Sequence, residues 1–194
     1  MLLSTRGDEG LKMFIVIEGD NGTGKTTLGE LFRHSGFEFV NRLDEAGTLE
    51  AEAKKFAPGS LQRHEAFLKY NKFCGNYASS RVKAVLVRYW FSTLTAAFAD
   101  GLFEFDYALK LSESLYSSMP KPDYVFRLYC GYSARKERIL RRRQSDDDIS
   151  QERDERYRLF SDALGGKISR WYNIDTTKLT PSQTCTTIRM IIGG

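Results

Sequence analysis

Phe14-Ile15-Val16-Ile17-Glu18-Gly19-Asp20-Asn21-Gly22-Thr23-Gly24-Lys25-Thr26-Thr27 is the stretch that decides the fold. Its four opening apolar residues are short and β-branched enough to form a strand buried on both faces. Gly19, Gly24, Lys25 and Thr26 then match a phosphate-binding spacing. Glycine lets the backbone curl tightly and bring bare N–H groups onto phosphate oxygens. A lysine at this position neutralises charge near the transferable phosphate, and a threonine hydroxyl after it ligates magnesium. Leu28, Leu31 and Phe32 follow at helical spacing, so a helix aims its positive end at the same anion.

Working outward, the chain of 194 residues is long enough for one domain with a substantial core. The net charge of +4 is modest, and basic residues concentrate between Arg135 and Arg143. That pattern reads as a local anion site and not a nucleic-acid surface. Cys74, Cys130 and Cys185 lie far apart, and neither they nor His34 and His64 form a zinc or disulfide pattern. Reduced thiols fit the cytoplasm. No apolar run approaches the ~20 residues of a membrane span, so no membrane partner is expected. Residues 1–12 begin too polar and acidic for a signal peptide and are expected to be a loosely ordered extension. Met13 is a plausible alternative start, and the domain is placed at 13–194.

Strands are expected at Phe14–Ile17, Phe37–Val40, Ala84–Val87, Tyr124–Tyr129 and Trp171–Ile174. Helices are expected at Lys25–His34, Asp44–Phe56, from Leu61 with Leu61, Leu68, Ala78 and Val82 among its inward positions, from Trp90 to Gly101, and at Glu104–Ser117. Ser133 is read as the cap of a basic helix reaching Arg143, and Ser145–Asp148 as a polar break. Gln151–Leu164 is helical. Thr180-Pro181-Ser182-Gln183 forms a capping box ahead of Ile188, Ile191 and Ile192. Strands alternating with helices give an α/β fold: a five-stranded parallel sheet with helices on both faces and the site at the strands' C-terminal ends. Tyr89, Trp90 and Phe91 read as core. His34 and His64 read as ordinary surface or helix residues.

The segment from Glu18 to Thr27 resembles the P-loop of thymidylate kinases, and further matches keep that family's order from about Met13 to Ile192. Phe39-Val40-Asn41-Arg42 is similar to the acceptor-binding loop. Asn71-Lys72 falls where the family has Asn-Arg. Arg88-Tyr89-Trp90-Phe91-Ser92 resembles its Asp-Arg-Tyr-x-x-Ser motif, Pro120-Lys121-Pro122-Asp123 the lead into the fourth strand, and the arginine run the lid, at about 135–150. The resemblance implies a three-layer P-loop NTPase fold with a short arginine-rich lid, working on ATP with Mg2+ and on a nucleoside monophosphate, dTMP or a close relative. It also implies a homodimer of helices packed face to face.

On that resemblance, ATP binds Gly19, Asp20, Asn21, Gly22, Thr23, Gly24, Lys25, Thr26 and Thr27, with Thr26 on the metal. Phe39, Arg42, Leu68, Lys72 and Arg88 are assigned to the acceptor. Lys25, Arg88 and one or more of Arg141, Arg142 and Arg143 are assigned to catalysis, with Arg138 a further lid candidate. Either Asn21 or Asp20 is placed to contact the acceptor sugar. The chain also departs from the family. Its aspartate before Arg-Tyr is Val87 here, and its helix arginine is Lys72, which loses the planar fork that grips phosphate. Two alternatives stay open: a deoxynucleoside kinase with Glu18 as base, and a non-catalytic nucleotide-binding paralogue.

Overall fold

The computed structural model describes residues 12–141 and 150–193. Five parallel strands, β1 (Met13–Glu18), β2 (Glu38–Phe39), β3 (Lys83–Val87), β4 (Tyr124–Tyr129) and β5 (Trp171–Asp175), form one sheet in the order β2-β3-β1-β4-β5. The first strand is therefore central, pairing Ile17 with Val87 on one side and with Phe126 on the other. The chain builds one half of the sheet, then crosses to the other. That reversal opens a crevice at the carboxyl end of β1, where the glycine-rich segment lies.

Eight helices are described: α1 (Lys25–Arg33), α2 (Asp44–Lys54), α3 (Leu61–Ser79), α4 (Trp90–Ala99), α5 (Phe105–Ser118), α6 (Tyr132–Arg141), α7 (Gln151–Gly165) and α8 (Pro181–Gly193). Alternation along β1 sorts them. Ile15 and Ile17 face α1 and α8 through Leu28, Phe32, Cys185 and Ile188. Phe14 and Val16 face a larger core that takes residues from α3, α4, α5 and α7. Nearly every residue of α4 is buried. Its all-round apolar surface is satisfied within the chain, as expected for an internal helix, and so does not argue for a dimer face.

The expected boundaries hold to within a few residues, with local exceptions. Leu61 and Val82 are exposed, because one begins α3 and the other lies in the turn beyond its end. Ser133 sits inside α6 and does not cap it. The capping box forms as read: Gln183 N–H donates to Thr180 Oγ1 at 3.2 Å, and Gln183 Oε1 accepts from Thr180 N–H at 2.9 Å. The short β2 is prolonged by a side chain. Asn41 Oδ1 accepts from Val87 N–H at 2.7 Å, and its Nδ2 donates to Val87 O at 2.8 Å, as a further strand residue would. Residues 1–11, Arg142, Arg143 and the Ser145–Asp148 break lie outside the described residues.

Candidate active site

The glycine-rich loop leaves β1 at Gly19, whose φ is +130°. A Cβ there would stand 2.2 Å from Leu128 O, so the loop can lie flush on the end of β4 only without a side chain. Thr23 Oγ1 and Lys25 Nζ both donate to Asp20 O, at 2.9 and 2.5 Å. Lys25 is thereby buried and folded back under the curl. Gly24 begins α1 at φ +94°, with open space where a Cβ would stand. No side chain caps α1, and its first turn carries no acid. A helix start of this kind favours an anion, and Thr26 is exposed in the first turn. The cradle fits a polyphosphate, and the Thr26 hydroxyl is a suitable oxygen ligand for its magnesium.

Arg88 reaches this loop from β3. Its own N–H continues the ladder to Ile17 O at 3.0 Å, and its φ of +66° turns the chain out of the sheet. The guanidinium then donates to Asn21 Oδ1. The next amide, of Tyr89, donates to Glu18 Oε1 at 2.8 Å. Burial pushes the Glu18 carboxyl up to about 8, against the pull of the Tyr89 amide, Arg88 and Lys25. Val87, just before Arg88, is buried among apolar neighbours that include Ile17, Leu28 and Phe39.

A chain of charged groups runs away from the loop on the other side. Asp20 Oδ2 lies 3.0 Å from an Arg135 nitrogen, and Arg135 Nε lies 3.1 Å from Asp154. Arg153 approaches Asp20 at 3.7 Å and donates to Asp100 at 2.8 Å, and His64 Nε2 lies 3.2 Å from Asp100. Burial opposes ionisation of Asp100, but His64 and Arg153 outweigh it and its pKa is lowered. Burial raises Asp154, against Arg135. His64 is therefore a residue of helix α3, as one of its two readings has it, but a buried partner of a carboxylate and not a surface residue. A cavity of about 380 Å³ opens beside this cluster, lined by Asp20, Arg127, Cys130, Arg135 and Tyr157 among others.

The remaining expected site residues are not gathered at the loop. Phe39 is core and not an exposed acceptor wall: its ring fills the space above Gly29, where a Cβ would come within 2.6 Å. Arg42 is exposed and pairs with Glu30 of α1 at 2.5 Å. Lys72 is exposed on α3, and Leu68 is half-buried against the larger core. Asn71 is buried and donates to Thr93 Oγ1 at 2.7 Å, tying α3 to α4. Arg141 faces outward and pairs with Glu137 one turn back at 2.6 Å. Arg138 donates to the carbonyls of Thr176 and Thr177, at 2.8 and 3.3 Å, and so fastens α6 to the loop after β5. The arginines that do reach the P-loop carboxylate, Arg135 and Arg153, were not singled out from the sequence. One signal was present. Arg135 and Ile139 lie one helical turn apart, so they share a face, and both are buried.

No family model matches the sequence, and no curated protein gives a significant match. Solved structures do match. The fold is similar to thymidylate kinase from Candida albicans, whose structure is described as revealing the origin of broad substrate specificity. The TM-score is 0.70 at 20% identity, over 94% of this chain and 92% of that one. It is also similar to deoxyadenosine kinase from M. mycoides with bound dATP (TM-score 0.65, 16% identity, 94% and 100% covered). The same enzyme with dCMP and a flexible dCDP bound gives 0.66 at 16% identity, over 93% and 99% of the two chains. At these identities the likeness establishes the fold alone: a five-stranded parallel α/β sheet with helices on both faces.

Proposed function

We propose that the chain catalyses ATP-dependent phosphoryl transfer to a nucleoside monophosphate, dTMP or a close relative. The observation that carries this reading is Arg88. A cation on a left-handed strand end, bound to Asn21 of the loop, supports this reading, because it would face an incoming phosphate beside the end of the triphosphate. Transfer of this kind needs alignment and charge neutralisation more than covalent chemistry.

The loop and α1 amides would hold ATP, with Lys25 leaving its carbonyl partner for the β- and γ-phosphates. Thr26 would hold Mg2+, whose contribution is to neutralise charge on the transferring group. Arg88 would orient the acceptor phosphate, and Arg42 would join it only by leaving Glu30. Arg135 and Arg153 fasten α6 and α7 to Asp20 and so set the wall beside the phosphates. A homodimer in the cytoplasm completes the proposal.

Transfer to a 5′-hydroxyl is the competing reading, since solved relatives in fold include a deoxyadenosine kinase. Glu18 is poorly suited as its base, being buried and engaged by the Tyr89 amide. Incubation with labelled ATP, Mg2+ and a panel of nucleosides and nucleoside monophosphates distinguishes the two. Label should appear in nucleoside diphosphates. Label in monophosphates made from nucleosides favours the competitor. ATP binding with no transfer to any acceptor points to a non-catalytic protein, consistent with apolar Val87 at the end of β3.

A further inference from the structure

We propose that Glu18 is a positioning residue for Arg88, holding the Tyr89 amide so that the strand end turns left-handed and aims the guanidinium at the loop. This rests on the phosphoryl-transfer reading for its consequence, though not for its geometry.

A carboxyl group at the end of a central strand is costly to bury without hydrogen-bond partners, yet Glu18 is only 2% exposed. One oxygen takes the Tyr89 N–H at 2.8 Å, while Oε2 is buried beside the start of α4. The two amides flanking the turn are thus both fixed by β1: that of Arg88 by Ile17 O, and that of Tyr89 by Glu18. Between them Arg88 adopts φ +66°, a conformation that residues with side chains seldom hold without such support. Tyr89 is also the residue before α4 and has no side-chain cap of its own. Glu18 therefore supplies a side-chain acceptor to the residue before α4 from a strand 71 positions away in sequence.

The groups around it fit the assignment. Arg88 and Lys25 attract the carboxylate, and the Ser92 amide of α4 acts in the same sense. Tyr157 of α7 lies within electrostatic reach of Glu18, Asp20 and Arg88. Arg127 is the register neighbour on β4, but its guanidinium is engaged by Asp162. Glu18 is thus the group that ties loop, strand end and helix start together. It acts through the backbone of Arg88 and touches no reacting atom.

The test uses the full-length protein with Glu18→Gln, which keeps an oxygen for the Tyr89 amide, and Glu18→Ala, which does not. Residue-resolved hydrogen exchange should show Tyr89 protected in the parent and in Glu18→Gln, and exchanging at least about tenfold faster in Glu18→Ala. In the transfer assay, KM for the acceptor should rise about tenfold or more in Glu18→Ala, with KM for ATP changed less than about threefold and Glu18→Gln near the parent. Should Glu18→Ala fail to fold, Glu18→Asp, which withdraws the carboxylate by one methylene, must show the same loss of Tyr89 protection. Unchanged Tyr89 exchange in the variant lacking the contact overturns the proposal. So do equal losses of affinity for both substrates. If the parent phosphorylates nothing, the functional reading fails while the exchange data still decide the role of Glu18.

Discussion

Replacing Asp20 with Asn tests whether the loop is held by charge. Asp20 and Arg135 are 6% and 1% exposed, with 3.0 Å between oxygen and nitrogen. At an effective dielectric near 20, that separation corresponds to a gross attraction of about 5 kcal/mol, much of it offset by desolvation. Removing one member of a buried pair typically costs about 3–5 kcal/mol, because the other is left uncompensated. Arg135 keeps Asp154 at 3.1 Å, so Asp20→Asn should cost less, about 2–3 kcal/mol. Arg135→Met leaves Asp20 with Arg153 at 3.7 Å and should cost a similar amount. The double variant strands neither Asp20 nor Arg135, and Asp154 loses Arg135 equally in the Arg135→Met single and the double, so the double should be more stable than the sum of the singles predicts by about 2 kcal/mol. Urea unfolding of the four proteins at one pH measures this directly. Additivity to within about 0.5 kcal/mol would show that the two groups do not support one another, and the account of how the loop is anchored would be wrong.

Glu18 makes stability depend on pH. Its carboxyl holds a proton in the folded chain up to about pH 8, against an ordinary 4.5. The folded state therefore binds the extra proton between these values, and stability falls as pH rises through that window, by at most about 5 kcal/mol. Glu18→Gln should lack this fall, and denaturation midpoints at pH 6 and pH 9 that shift equally in both proteins would contradict it. Gly29→Ala should cost about 1–3 kcal/mol, since its Cβ would lie 2.6 Å from the Phe39 ring. Pairing it with Phe39→Leu should recover part of the loss in a thermal melt, and no recovery would mean that the contact is not the cause. Gly22→Ala strains a residue at φ +79° and presses on Ile139 at 3.1 Å. It should cost about 1–2 kcal/mol and weaken ATP binding measured by calorimetry, and unchanged affinity would count against the cradle.

What could be read from the sequence was what is encoded locally. The run Phe14–Ile17 declares a two-sided strand because four apolar residues in succession suit a place inside a sheet. The glycines of the loop declare themselves because positive φ excludes most other residues, and Thr180 with Gln183 because a capping box is contained within four consecutive residues. Arg88 was found because it follows a strand in an architecture whose strand ends carry the site. The charged chain Arg135–Asp20–Arg153–Asp100–His64 was not legible. Its partners come from four helices or helix ends and a loop, and Arg135 meets Asp20 across 115 positions. Phe39 was ambiguous for a different reason: a two-residue strand offers too little alternation to say which face is covered. The outward turn of Arg141 and its pairing with Glu137 depend on the rotation of α6, which a run of consecutive arginines does not encode.

Transfer from ATP to dTMP with Mg2+, compared between the parent chain and Arg88→Met, bears most directly on the central claim that two anions meet between the loop amides and Arg88. The account predicts dTDP, or another nucleoside diphosphate from a related acceptor. It also predicts that Arg88→Met lowers kcat/KM by about 100-fold or more while ATP affinity is retained. Equal transfer rates in the two proteins, or a parent that binds ATP and phosphorylates none of the monophosphates, would contradict it.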